Sequence, residues 1–214
     1  MKISEQIRKM KPGNYLRELS IVIIGVAITL FASDRISSYN EQRDMHQQLD
    51  LVYEELSSNL VQLDEVVDYY NNLAVQRKHM LAKYRDPYPG VNDSIMKYDS
   101  YTSSTFPYTY KKSAYEMFIN SGAMKQLTDR KQLMDITQSY SGLENLKDKI
   151  ESYMQSKKEV MHELYKIRTE DAIKYELTDP QFYIIYNFHM LNSGLEETTS
   201  DLKKEIERVI SERP

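Results

Sequence analysis

Three patterns of apolar and polar positions follow one another along the chain. From Leu19 to Ser33 fifteen consecutive residues are uncharged, roughly 22 Å of helix at about 1.5 Å per residue. This run passes without glycine or proline into a polar stretch, "SDRISSYNEQRD" (Ser33 to Asp44). Beyond it, Leu49, Tyr53, Leu56, Leu60, Leu63, Val67, Tyr70 and Ala74 recur at spacings of 4, 3, 4, 3, 4, 3 and 4, and Leu81 resumes the series one heptad later. That is a heptad seam between polar flanks such as Glu54, Glu55, Gln62 and Asp64. No Gly or Pro occurs from Val26 to Arg85. The pattern therefore predicts one helix from about Tyr15 to about Tyr84, an apolar span feeding directly into a rod.

The period then disappears. "DPYPGVNDSIMKYDSYTSSTFPYTY" (Asp86 to Tyr110) carries three prolines and reads as a long loop. Loops of this length are often either functional or disordered, and Tyr88, Tyr98, Tyr101, Tyr108 and Tyr110 among Ser, Gly and Asn suit an adaptable contact surface. The alternative is that these rings cover the helices. A helix over about Lys111 to Asn120 is expected to end at Ser121-Gly122, where Gly suits a left-handed cap. Thr128 or Asp129 can cap a third helix whose apolar stripe runs from Leu133 to Ile167 and slips phase near Gly142, which predicts a kink or break there. Asp179 before Pro180 opens an aromatic helix closing at Gly194, and a last helix over about Glu196 to Glu212 carries Leu202, Ile206, Val209 and Ile210 on one side.

Each helix has a stripe to hide, and the simplest solution folds the third helix back antiparallel along the rod. The expected fold class is all-α, a transmembrane helix continuing into a long coiled-coil helix with later helices packed on it as an elongated antiparallel bundle. The units are a tail (1–14), an anchor (15–33), a long helix (34–84), a Tyr/Pro-rich loop (85–110) and a helical bundle (111–214).

The apolar run is short for a bilayer span, which usually needs about 20 residues. A cleaved signal and a soluble core helix are the competing readings. Extending the run backwards takes in Arg17, which can snorkel to the headgroups, and Tyr15 at the interface. Glu18 then lies just inside the hydrocarbon, where a carboxyl group calls for a partner; Arg17, its sequence neighbour, points to another side of the helix. Five basic residues (Lys2, Arg8, Lys9, Lys11, Arg17) precede the run, so the positive-inside rule leaves the N-terminus cytoplasmic. Ile3, Ile7 and Met10 beside these charges suit a short helix lying on the anionic leaflet, ended by a Pro12-Gly13-Asn14 turn. A retained anchor in a bacterial inner membrane, with a periplasmic body, is the expected topology.

Composition narrows the chemistry further. Apolar residues are 41% and charged residues 28% of 214, ordinary globular usage. A net charge of −4 with no basic run beyond the first seventeen residues leaves no nucleic-acid footprint. Cysteine is absent, which removes disulfides, thiolate metal sites and Cys nucleophiles. His46, His79, His162 and His189 lie far apart, and His162-Glu163 lacks the second histidine of a zinc-protease helix. There is no phosphate loop and no nucleophile elbow. Paired carboxylates such as Glu54-Glu55 and Glu196-Glu197 read as solvated helix faces. No catalytic, cofactor-binding or metal-ligating residue is assigned, no small-molecule substrate is identified, and the expected class is non-enzymatic. Asp93-Ser94-Ile95 resembles the short acceptor pattern of a periplasmic O-glycosylation system of some bacteria.

Several stretches together carry a family resemblance: Glu18 with "IVIIGVAITL" (Ile21 to Leu30), "ASDRISSYNEQR" (Ala32 to Arg43), the heptad rod, and "SAYEMFINSGAMKQL" (Ser113 to Leu127). They resemble a bacterial family of unknown function with one N-terminal anchor and a coiled-coil body; that family commonly has Trp where this chain has Tyr39. The resemblance implies architecture and topology and transfers no catalytic residue.

Two functions are compatible with these features. The first is an anchored scaffold or assembly protein, self-associating through the heptad seam, with Glu18 satisfied between helices. The second is a monomeric accessory or sensor subunit whose seam is filled by its own third helix and which docks on a transporter, channel or envelope complex. The expected partners are thus the lipid bilayer and either further copies or an unlike membrane protein.

Overall fold

The computed structural model describes residues 12–85, 88–97, 106–167, 184, 187–188 and 194–213. The tail pattern at Ile3, Ile7 and Met10, the rings of Tyr98 and Tyr101, and, apart from Ile184, Asn187, Phe188 and Gly194, the helix expected from Asp179 to Gly194 lie outside the described residues.

One helix, α1 (Pro12–Arg85, 74 residues), forms the axis of the molecule, about 110 Å long at the standard rise. It starts earlier than expected. Pro12, assigned to a turn by its neighbours Gly13 and Asn14, is instead the first helical residue, where a missing N–H costs no hydrogen bond and the fixed φ suits the helix. Along this axis lie α2 (Val91–Lys97), α3 (Ser113–Asn120), a 3₁₀ turn (Ala123–Gln126), α4 (Arg130–Ile167) and α5 (Leu195–Ser211). The described residues contain no strand, and the fold is all-α.

The expected loop holds one helix the sequence pattern missed. After Pro89, Gly90 takes φ +87, and the Ser94 amide donates to the Gly90 carbonyl at 3.0 Å, opening α2. Val91 then packs against the rod as a buried residue. Seven residues are too few to display a helical period, and the prolines around them mask it.

Two boundaries match their signals. Gly122, at φ +81, turns the chain out of α3, a conformation glycine adopts without the Cβ penalty. The Asp129 carboxylate accepts from the amides of Lys131 (2.9 Å) and Gln132 (3.1 Å), capping α4.

The direction of the third long helix differs from the expectation. The descending segment comes first: Lys111 bonds to Asn59, Ala114 to Glu55, Ser121 to Gln48 and Gln126 to Glu41. The chain thus runs back along α1 through α3 and the 3₁₀ turn. It then reverses, and α4 climbs parallel to α1, with Gln132 meeting Tyr53, Tyr140 meeting Glu55, Tyr153 packing on Tyr70 and Lys157 reaching Tyr69. Finally α5 descends antiparallel to both, from Glu196 beside Arg77 to Arg213 beside Asp50. The antiparallel partner of the rod is α5, because the return path that would have made α4 antiparallel is already taken by residues 106–127.

The break expected at Gly142 does not occur; α4 is continuous over 38 residues. Gly142 serves a different purpose. A Cβ built there would lie 2.5 Å from Leu202 Cδ1, so the glycine leaves room for the tip of the Leu202 side chain of α5. Along its length α4 meets both neighbours: Gln132 and Tyr140 touch α1 where Asp135 and Gly142 touch α5.

The core runs along α1 from Met45 upward and is shared with α3, α4 and α5. Below Met45 every described side chain of α1, from Arg17 to Asp44, is exposed.

Candidate functional site

Three regions hold the residues singled out by the sequence: the seam, the Tyr-rich segment, and the apolar segment of α1 with the stalk above it.

Of the predicted seam, Leu49, Tyr53, Leu56, Leu63 and Tyr70 are buried, while Leu60, Val67, Ala74 and Leu81 are half-buried. The buried stripe is wider than the predicted one. Met45, Val52, Asn59, Val66, Leu73 and Met80 recur every seven residues and are all buried, giving a third core position per heptad. A stripe of that width suits a helix covered on two sides, here by α4 and α5, where a two-position seam suits a single facing helix. The chain's own helices occupy this face throughout the body.

Two polar side chains within this stretch fix the descending segment. Asn59, fully buried, donates from Nδ2 to the Lys111 carbonyl at 2.7 Å and accepts the Lys111 amide on Oδ1 at 2.8 Å. Glu55 was expected to face solvent. Its carboxylate instead accepts the amides of Ala114 (2.9 Å) and Tyr115 (3.2 Å) and the Tyr140 hydroxyl (2.7 Å). It caps the N-terminus of α3, where free amides and the helix dipole favour an anion. Burial and the Glu55 carboxylate raise the Tyr140 pKa, and its ring stacks on Tyr115 at 4.1 Å and 6°. Glu196 likewise leaves solvent, to pair with Arg77; burial opposes its ionisation, but the Arg77 guanidinium holds its pKa below the ordinary value.

Further along the rod, Lys157 is 3% exposed. Its ammonium donates to the Tyr69 hydroxyl at 3.3 Å and stands 5.8 Å from the Tyr153 ring centre. Tyr69 meets Phe106 and Tyr70, and Tyr153 stacks on Phe188. Burial lowers the lysine to about 8, since removing an ammonium from water disfavours its charged form. Burial also raises the pKa of Tyr70, Tyr108 and Tyr153.

The Tyr-rich segment divides. Tyr108 is buried. The Tyr110 hydroxyl donates to Glu144, whose pKa is lowered by that bond and by Lys112 and Lys147. These two rings cover the bundle. Tyr88 is exposed, with its hydroxyl 2.7 Å from His79 Nδ1.

The apolar segment of α1 behaves differently from the body. Among the described residues, α1 is the one helix long and apolar enough to cross a membrane. None of its apolar window is buried by the rest of the chain, and Arg17 and Glu18 are exposed at its foot. Above it the stalk, residues 34–44, is exposed on all sides. No group of three or more His, Cys, Asp or Glu among the described residues is arranged to hold a metal ion. Sequence reasoning missed Asn59, Glu55 and Lys157, although Asn59 was visible as a polar residue interrupting the seven-residue series from Met45 to Met80. No protein-family model, no curated protein and no solved structure matches the chain.

Proposed function

We propose that the chain is a membrane-anchored, non-enzymatic accessory subunit of the bacterial inner membrane, which docks through its anchor and stalk on an unlike membrane protein and holds its helical body on the periplasmic side. The observation that carries this reading is the contrast along α1. From Met45 upward its apolar stripe is covered by α3, α4 and α5, whereas the apolar side chains from Leu19 to Phe31 are exposed among the described residues. A bilayer covers such a surface. The five basic residues at or before position 17 orient it with the N-terminus in the cytoplasm.

The self-associating scaffold draws its support from the heptad seam, and that seam is occupied within one chain. The two functions separate by mass. Light scattering of the detergent-solubilised protein should give a monomer, for wild type and for Glu18→Leu alike. A stable oligomer that weakens in Glu18→Leu would favour the scaffold instead, and release of the wild type from membranes by alkaline carbonate would remove the anchor altogether.

A further inference from the structure

The short helix α2 is the most lightly held element of the body. Among its described side chains Val91 is buried, Ser94 is half-buried, and Asp93 and Lys97 are exposed. It packs on α1, and just before it the Tyr88 hydroxyl lies 2.7 Å from His79 Nδ1. Seven residues do not sustain a helix in water without such packing, so an element held by so little buried surface opens at small cost. His79 follows Phe31 by 48 positions, which puts α2 about 70 Å along the rod beyond the apolar segment at the standard rise.

The Ser94 hydroxyl is unengaged. Thr29, Ser57, Thr137 and Ser139 each use theirs on the carbonyl four residues earlier, at 2.8–2.9 Å. Ser94 donates its amide to the Gly90 carbonyl, but its hydroxyl makes no hydrogen bond among the described residues. Directly before it stands the exposed carboxylate of Asp93. Three properties thus coincide at one residue: the acceptor pattern Asp93-Ser94-Ile95, a free nucleophilic oxygen, and a helix that can be lifted from the rod. The nearby Asp99-Ser100-Tyr101 departs from the pattern through its aromatic third residue.

We propose that Ser94 is an O-glycosylation site, modified on the side of the membrane away from the cytoplasm. The inference rests on the topology proposed above. Nucleotide sugars are highly charged and stay in the cytoplasm, so the donor on the outer side is a glycosyl diphosphate carried on a lipid. In the transfer, Ser94 Oγ bonds to the anomeric carbon while the bond from that carbon to the diphosphate oxygen breaks. The electron pair leaves with the diphosphate, and the hydroxyl proton passes to a basic group of the transferase. Asp93 supplies the carboxylate that a cationic group of the transferase recognises. A sugar is bulky and solvated, and α2 presents it far from the bilayer.

The test is the intact mass of the full-length protein purified from its native membranes. Wild type should exceed the mass of its polypeptide by whole sugar residues. Ser94→Ala and Asp93→Asn should lose the excess, and Ser100→Ala should keep it. Asn92-Asp93-Ser94 also fits the acceptor pattern for N-glycosylation, so Asn92→Gln separates the two chemistries. It should keep the excess, and loss in this variant would overturn the proposal by assigning the sugar to the side-chain amide. An excess that survives Ser94→Ala would overturn it as well. So would an unmodified wild type, and protease added to spheroplasts then separates two causes. Cleavage of the body would leave the topology intact and remove the site alone, whereas protection until lysis would remove both.

Discussion

Asn59 and the backbone of Lys111 exchange two hydrogen bonds, so a side-chain amide on the rod does for one residue what a neighbouring strand would do. The descending segment has no ladder of its own at this point, and Asn59 supplies both a donor and an acceptor inside a buried stripe. Asn59→Ala strands the Lys111 amide and carbonyl and should lower unfolding stability by roughly 1–3 kcal/mol. Urea titration checks the magnitude. Hydrogen exchange should localise the loss to the residues around Lys111, and unchanged protection there would mean the pair contributes nothing.

Glu55 holds three donors from two other elements. Glu55→Ala should detach the start of α3 and leave the Tyr140 hydroxyl without its acceptor, while Glu55→Gln retains one oxygen and should be intermediate. The expected cost for the alanine variant is again roughly 1–3 kcal/mol. Exchange of the Ala114 and Tyr115 amides should accelerate more than exchange in α5. Uniform acceleration across the body would indicate global destabilisation in place of a lost cap.

At Gly142 two effects of opposite sign compete. Alanine raises helix propensity by about 1 kcal/mol, but its methyl would meet Leu202 at 2.5 Å, and overpacking costs about 1–3 kcal/mol. Gly142→Ala should therefore destabilise slightly, and combining it with Leu202→Ala should show a favourable coupling between the two sites. A thermal melt showing Gly142→Ala alone to be more stable would mean that the Leu202 side chain swings aside freely.

Lys157 gives the body a stability that rises with pH over a defined window. Its pKa is about 8 in the fold against 10.5 ordinarily, so between these values the unfolded chain binds more protons and stability increases with pH. The cost of the buried charge is fully present below pH 8. Above pH 10 the sign reverses, because Tyr70, Tyr108, Tyr140 and Tyr153 are held neutral in the fold and ionise once unfolded. Stability should peak between about pH 9 and 10. Lys157→Met should flatten the rise from pH 8 without moving the fall, and an unchanged rise would assign it to another group.

The extent of α1, the end of α3 at Gly122 and the cap at Asp129 were legible because each rests on a local rule: an uninterrupted period, a left-handed glycine, a carboxylate before a helix. The width of the buried stripe was harder to read. The predicted seam counted two positions per heptad, as for one facing helix, and passed over the series from Met45 through Val52, Asn59, Val66 and Leu73 to Met80. Neighbour number is a tertiary property, and only a third apolar position signals it. The parallel course of α4 was illegible for a related reason. It depends on residues 106–127 occupying the return path, and although α3 was expected within them, a helix of eight residues does not reveal its direction along α1. Glu55 and Glu196 look like any solvated carboxylate until the amides and guanidinium that meet them are brought in from about sixty and about a hundred and twenty residues away.

The closure of the rod by α5 also sets a clock for biosynthesis. Residue 195 follows residue 85 by 110 positions, which at about 5–20 residues per second takes roughly 6–20 s of translation. For that interval the upper rod has been made while its covering helix has not, and Val66, Tyr70 and Leu73 face solvent or whatever meets them first. On the topology proposed above the span is made first, and a nascent chain tethered by it would be held apart from its fellows during those seconds.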